Sequence, residues 1–147
     1  MRKKHRWILP VLAILVALAL IALDERLILR TYTVASPKLT AEVRLAVVTD
    51  FHSSDNADDV AAMVASCAPD AVLLVGDLFD DDTQNRPPER TLSLMRQLSA
   101  QYPCYYVSGN HEAWTGEMDA LYQQTADAGV TVLRMSSGVL TVRGQRI

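Results

Sequence analysis

Three short stretches concentrate the side chains able to do chemistry: "DFH" at 50–52, "GDLFD" at 76–80 and "GNHE" at 109–112. They hold two of the chain's three histidines. Carboxylate, imidazole and amide oxygen together suit divalent ions of intermediate hardness such as Mn, Fe or Zn, whereas calcium takes an all-oxygen shell and softer metals take thiolates. Asp50 and His52, two positions apart, point the same way in a strand and at its end can chelate one ion. Asp77 offers two oxygens, enough to bridge two ions, and Gly76 lets the backbone turn closely beneath them. Each residue alone also has a plain role. Asp50 and Asp77 are good turn formers, His52 reads as a surface side chain, and Asn110 suits a left-handed turn after Gly109.

Convergence depends on the elements that carry these residues. "VRLAVVTD" (43–50) is a β-branched run ending in an acid, and "NADDVAAMVASCAP" (56–69) has helical spacing through Val60, Met63, Val64 and Cys67. "AVLLVGD" (71–77) is apolar throughout, as a strand covered on both faces would be. After the polar loop "DDDTQNRPP" come a helix from about Glu89 to Gln101, a strand "CYYVSGN" (104–110), a helix "GEMDALYQQTADAG" (116–129) and a strand "VTVLR" (130–134). Alternation of this kind predicts an α/β layered fold with a largely parallel sheet. In such a sheet, ligands bind beyond the carboxyl ends of the strands, where all three stretches fall. The tail "GVLTVRGQRI" reads as strand, turn and the start of another strand. Ser53, Ser54 and Asp55 read as caps of the helix that follows them. Asp81 and Asp82 read as a solvated loop, and Trp114 as either a pocket wall or an exposed aromatic.

In this order and at strand ends, the three stretches resemble the first three blocks of the calcineurin-like metallophosphoesterases, D-x-H, G-D-x-x-D and G-N-H-[DE], over residues 43 to about 134. The apolar N-terminal run followed by "VVTDFHSS" resembles the bacterial membrane-anchored phosphodiesterase branch. The resemblance implies a layered sheet sandwich flanked by helices and two divalent metal ions, Mn, Fe or Zn. It implies that Asp50 and His52 hold the first metal, that Asp77 bridges both, and that Asn110 holds the second. His111 would stand near the scissile phosphate, stabilising charge or protonating the leaving oxygen, with Glu112 orienting it, while a hydroxide bridging the metals attacks phosphorus. Asp80, the second acid of "GDLFD", would be supportive; the family often has Arg next, where this chain has Asp81.

The pattern also departs from the family. Its later histidines, an isolated one and a G-H-x-H block, have no counterpart after His111, so the second metal would have Asp77 and Asn110 only. The sequence therefore reads as the N-terminal part of a longer enzyme, its sheet sandwich incomplete at the C-terminus. A noncatalytic membrane-tethered binding module, or an inactive remnant with an incomplete metal site, is the rival reading.

The N-terminus stands apart in composition. Four Lys or Arg within residues 1–6 precede "WILPVLAILVALALIAL", an uncharged run over 7–23 that ends at Asp24 and Glu25. It predicts one transmembrane helix, with the basic end cytoplasmic and the catalytic domain on the extracytoplasmic side of the cell membrane. A cleaved signal peptide is the alternative, since "ALA" at 17–19 has the look of a cleavage site. Residues 24–42 read as a connector, and residues 43–147 as the N-terminal portion of the metallophosphoesterase domain that the resemblance implies.

The net charge of −3 combines +4 from residues 2–6 with −7 from the remainder. An acidic domain does not suggest nucleic acid as a nonspecific partner, and none is expected; the expected partners are a phosphorylated small-molecule or lipid-linked substrate and the membrane. Nine of the 17 acids fall between Asp50 and Asp82, so either cations or solvent must screen them. Cys67 and Cys104, each in or beside an apolar segment, read as small buried hydrophobes in preference to a disulfide.

Overall fold

A computed structural model describes residues 7–22 and 27–147. Two compact units emerge, residues 1–32 and residues 33–147. In the first, helix α1 (Ile8–Ala22) has 15 residues and no charged side chain. It is about 22 Å long at a 1.5 Å rise per residue, short of the roughly 30 Å hydrocarbon core of a bilayer. Among the described residues no helix is long and apolar enough to cross a membrane. The expected span over 7–23 is thus not matched by a helix of sufficient length, and the basic residues 1–6 and the acids at 24 and 25 lie outside the described residues.

The second unit runs β1 (Leu45–Val48), α2 (Ala57–Ser66), β2 (Ala71–Val75), α3 (Pro88–Ser99), β3 (Cys104–Val107), α4 (Asn110–Trp114), α5 (Met118–Asp127), β4 (Thr131–Val132), β5 (Thr141–Val142) and β6 (Gln145–Arg146). The first four strands make one parallel sheet in the order β1-β2-β3-β4. Each crossover carries a helix, as parallel pairing requires. The functional stretches therefore follow β1, β2 and β3 at one end of neighbouring strands, as the sequence predicts.

One face of the sheet is sealed. Val72, Leu74 and Tyr106 are fully or almost fully buried, as are Leu94, Met95 and Leu98 of α3. Burying each such apolar side chain stabilises the fold by about 1.5–3 kcal/mol. On the other face Val47 and Val75 remain 60% and 41% exposed, so the expectation that "AVLLVGD" is covered on both faces holds for one face only. Nor do the described residues form two packed sheets. Beside the parallel sheet there is a separate antiparallel hairpin, β5 with β6, turning through Arg143 and Gly144. It is tied to the segment before β1 and to the turn before β2: Gln145 Oε1 accepts the Thr40 and Ala41 N–H groups, and Arg143 donates to the Glu42 carbonyl and to Asp70 Oδ1.

Cys104 is buried, Cys67 half-buried, and both are free thiols. Burial pushes the Cys104 thiol up to about 11. The predicted capping of α2 by Ser53, Ser54 or Asp55 is not realised: Asn56 is the N-cap and its side chain makes no capping bond.

Candidate active site at the strand ends

Seven non-glycine residues with positive φ occur among the described residues; Asp50 (54°), His52 (49°) and Asp77 (54°) belong to two of the functional stretches, and Ser53 (47°) directly follows the first. A side chain in this left-handed region costs roughly 1–2 kcal/mol, so surrounding bonds must hold it there. Those bonds are explicit. The amide N–H groups of Asp50, His52 and Ser53 donate to the carbonyls of Gly76, Asp77 and Leu78 at 3.3, 3.0 and 2.9 Å, stitching the first loop onto the second. Ser53 is buried, its hydroxyl 2.9 Å from Thr91 Oγ1, which in turn donates to the Leu78 carbonyl.

The second and third loops are joined more tightly. Gly76 has a φ of 70° and donates its N–H to the Val107 carbonyl. Gly109 is needed for room: a Cβ there would collide with Asp77 Oδ1 and stand 2.7 Å from the Asp77 nitrogen. Close approach lets the His111 N–H donate to Asp77 Oδ1 at 3.0 Å. Glu112, completely buried, fills the junction. Its Oε2 accepts from the N–H groups of Asp77 (3.0 Å) and Gly109 (2.8 Å), and its Oε1 from those of Leu78 (2.7 Å) and Phe79 (3.1 Å). A carboxylate taken out of water needs such compensation, and four amide dipoles supply it. Burial first, and then the Glu112 charge, push the neighbouring Tyr106 phenol well above its ordinary range.

The role expected of Glu112, orienting His111, is therefore corrected, because both its oxygens are committed to backbone amides. Asp81 takes that contact instead. Its Oδ1 lies 2.7 Å from His111 Nδ1. In the sequence Asp81 stood out only as an acid where the family often has Arg; the loop after β2 folds back across the site to bring it there. Asp80 is the other acid that reaches inward, 3.4 Å from His52 Nδ1 and 3.9 Å from Arg86 Nε. On the outer part of the same loop, the Asn85 amide bonds Asp82 and holds its carboxyl below the usual range.

His52, Asp77 and His111 offer ligand atoms that all lie within 4.8 Å of one another. The two imidazoles meet edge to face with ring centroids 4.4 Å apart, and the exposed Trp114 ring lies 4.8 Å beyond His111. Asp50 stands outside that triad, its Oδ1 3.9 Å from His52 Nε2 and its Oδ2 accepting from the Thr49 hydroxyl. Asn110 opens α4 with an exposed side chain that makes no hydrogen bond among the described residues. The donor set fits a divalent ion. His52 Nδ1 is buried and makes no hydrogen bond among the described residues, although Asp80 Oδ2 stands 3.4 Å away, so a cation between these groups would be well placed to satisfy both.

The profile of the calcineurin-like phosphoesterase family matches residues 43–142. An uncharacterised metallophosphoesterase of Campylobacter jejuni is 28% identical over 97 residues, covering 63% of this chain and 25% of its own length. A transmembrane protein with a metallophosphoesterase domain from Danio rerio is 23% identical over 105 residues, 68% of this chain and 24% of its own. Among solved structures, the phosphopantetheinyl hydrolase of Mycobacterium tuberculosis aligns with a TM-score of 0.49 and 22% identity, over 74% of this chain and 41% of that one. The parallel α/β layer, with candidate metal ligands at its strand ends, is consistent with a metallophosphoesterase domain. This chain belongs to the calcineurin-like phosphoesterase family. It spans about a quarter of the length of the curated relatives it matches.

Proposed function

We propose that the protein of which these residues are part hydrolyses phosphoesters, diester or monoester, with two divalent ions from among Mn, Fe and Zn. The observation that carries this reading is the convergence of His52, Asp77 and His111 to within 4.8 Å at the ends of neighbouring parallel strands. Asp50 and His52 would hold one ion, Asp77 would bridge to the other, and Asn110 would bind the second. When bound, such ions lower the pKa of water and stabilise charge on the phosphoryl group. The chain's own contribution is positional. Glu112 and the three amide bonds between the first two loops hold the ligands in a strained backbone, so that little reorganisation is left for the reaction. His111, next to the ligands, would give its proton to the departing oxygen.

Hydrolysis of bis(p-nitrophenyl) phosphate and p-nitrophenyl phosphate with added Mn²⁺, compared between the wild type and Asp77→Ala, tests the reading. Loss of at least a hundredfold in kcat/KM is expected. Hydrolysis that survives Asp77→Ala would overturn it.

Attachment to a membrane through residues 7–23, with the site on the extracytoplasmic side, is part of the same proposal. What supports it is the apolar surface of α1 and the residue before it: Leu9, Ile14 and Leu18 of the helix, and Trp7 ahead of it, are all more than half exposed. A surface of that kind is stable in lipid or against a partner. The basic residues ahead of it favour a cytoplasmic N-terminus.

A further inference from the structure

We infer that Trp114 is a specificity-determining residue, whose indole face takes a planar ring carried by the leaving group of the substrate, either a nucleobase or a simple aryl group. The inference rests on the phosphoesterase reading, which puts the leaving oxygen at His111. Within the five residues of α4, His111 and Trp114 are three apart and so are neighbours on one face of the helix. Glu112, between them in sequence, is completely buried in the junction of the loops, which turns the face shared by His111 and Trp114 outward over the strand ends. The two ring centroids are 4.8 Å apart at an interplanar angle of 56°, so the indole stands beside the imidazole without lying flat on it. Hydrogen bonds close the turn that holds it. The Thr115 N–H donates to the His111 carbonyl at 3.3 Å, and the Thr115 hydroxyl donates to the Glu112 carbonyl at 2.7 Å and accepts the Glu117 N–H at 3.0 Å.

A single exposed apolar side chain is ordinary on a protein surface, and it is the place of this one that carries meaning. Among the described residues of the second unit every other aromatic is buried or half-buried, whereas Trp114 is 64% exposed, and it stands next to the site. The side chains around it favour a flat ring over an acyl chain. Ala113 and Thr115 are small, and the other neighbours of His111 are His52 and the partly exposed Asp81, so an acyl chain would meet one apolar side chain and then polar groups or water. A single ring, by contrast, is covered by a single indole. Removing an aromatic side chain on which a base stacks weakens binding by about tenfold or more.

Steady-state hydrolysis by the full chain with Mn²⁺ tests the inference on adenosine 5′-monophosphate and glycerol 3-phosphate, as monoesters and as methyl diesters. Both have primary alcohols as leaving groups and only one carries a ring; phenyl phosphate separates an aryl group from a nucleobase. Trp114→Ala is expected to raise KM by about tenfold for the adenosine or the phenyl ester, and by less than about twofold for the glycerol ester. Trp114→Phe keeps a ring and should stay within about threefold of wild type, whereas Trp114→Leu, apolar but not flat, should behave like Trp114→Ala. An equal loss on ringed and ringless esters would overturn the inference and make Trp114 a support for His111, and no loss on any ester would overturn it too. So would a wild-type KM in Trp114→Leu, or a larger loss on dihexanoyl phosphatidic acid than on the ringed esters, since both point to an acyl chain. A second readout needs no turnover. In the Trp7→Phe chain Trp114 is the one remaining tryptophan, and its fluorescence should be quenched saturably by adenosine 5′-monophosphate or phenyl phosphate and not by glycerol 3-phosphate or inorganic phosphate. Absence of quenching by either ringed ester would overturn the inference. Should the wild type hydrolyse none of the esters, the phosphoesterase reading fails, and the quenching still decides whether the indole takes a ring.

Discussion

Glu112 Oε2 accepts the backbone N–H of Asp77 at 3.0 Å, so the acid of the third stretch holds the main chain of the central acid of the second. The same carboxylate gathers the amides of Leu78, Phe79 and Gly109. One buried side chain thus sets the distance between two loops that must act together. It also stabilises the left-handed backbone of Asp77, which would otherwise relax.

Glu112→Ala should leave four N–H groups without their acceptor. Each orphaned buried donor costs about 1–3 kcal/mol, and water entering the cavity recovers part of this. We expect Tm to fall by about 10 °C or more in thermal unfolding followed by circular dichroism. Glu112→Gln keeps one acceptor oxygen and should lie between the two. A Tm for Glu112→Ala within a degree or two of wild type would contradict the role assigned to this residue.

Gly109→Ala places a methyl group on Asp77 Oδ1. The β3–α4 turn and the Asp77 loop must then separate, disturbing the Asp77 carboxylate directly and the fold as a whole much less. Overpacking of this kind costs roughly 1–3 kcal/mol. A loss of Mn²⁺ affinity of about tenfold or more, measured by titration calorimetry, is expected alongside a modest loss of stability. Unchanged affinity would show that the close approach is not needed.

Much of this arrangement was legible in the sequence. The apolar runs predict all four strands of the parallel sheet, and the polar residues at the ends of the first three fall where strand order predicts. The hairpin at Thr141–Arg146 followed from "TVRGQR". What the sequence did not reveal depends on contacts between distant loops. That Glu112 turns inward to bind backbone amides, and not toward His111, is decided by Gly109 letting the third loop close on the second. Asp81 lies 30 positions from His111 and looks like any solvated acid until its loop folds back. The short helix α4 was missed because Asn110, its first residue, reads as the end of the strand or as a left-handed turn after Gly109. The open sheet face was hidden by composition, since a strand as apolar as β2 gives no sign of which face remains exposed.

The two thiols should differ in reactivity. Cys104 is buried and its pKa is raised to about 11, so at pH 8 it stays a protonated thiol shielded from reagents. Thiolate is the reacting form. In native protein, iodoacetamide at pH 8 should therefore label Cys67 and spare Cys104, with both labelled in denaturant, as read by peptide mass spectrometry. Rapid native labelling of Cys104 would contradict the packing of β3.

Membrane attachment makes a separable prediction. The full chain should sediment with membranes and resist an alkaline carbonate wash, whereas residues 33–147, a compact unit without α1, should remain in the supernatant. Release of the full chain by the wash would count against a spanning anchor and leave the site chemistry untouched.

The central claim is that the three strand-end stretches form one metal site built around Asp77. Calorimetric titration of Mn²⁺ into the full chain, wild type against Asp77→Asn, tests it most directly, because Asn keeps the size of the side chain and removes its charge. The account predicts saturable binding by the wild type and an affinity at least tenfold lower for Asp77→Asn. Equal affinity in the two proteins, or no binding by the wild type, would contradict it.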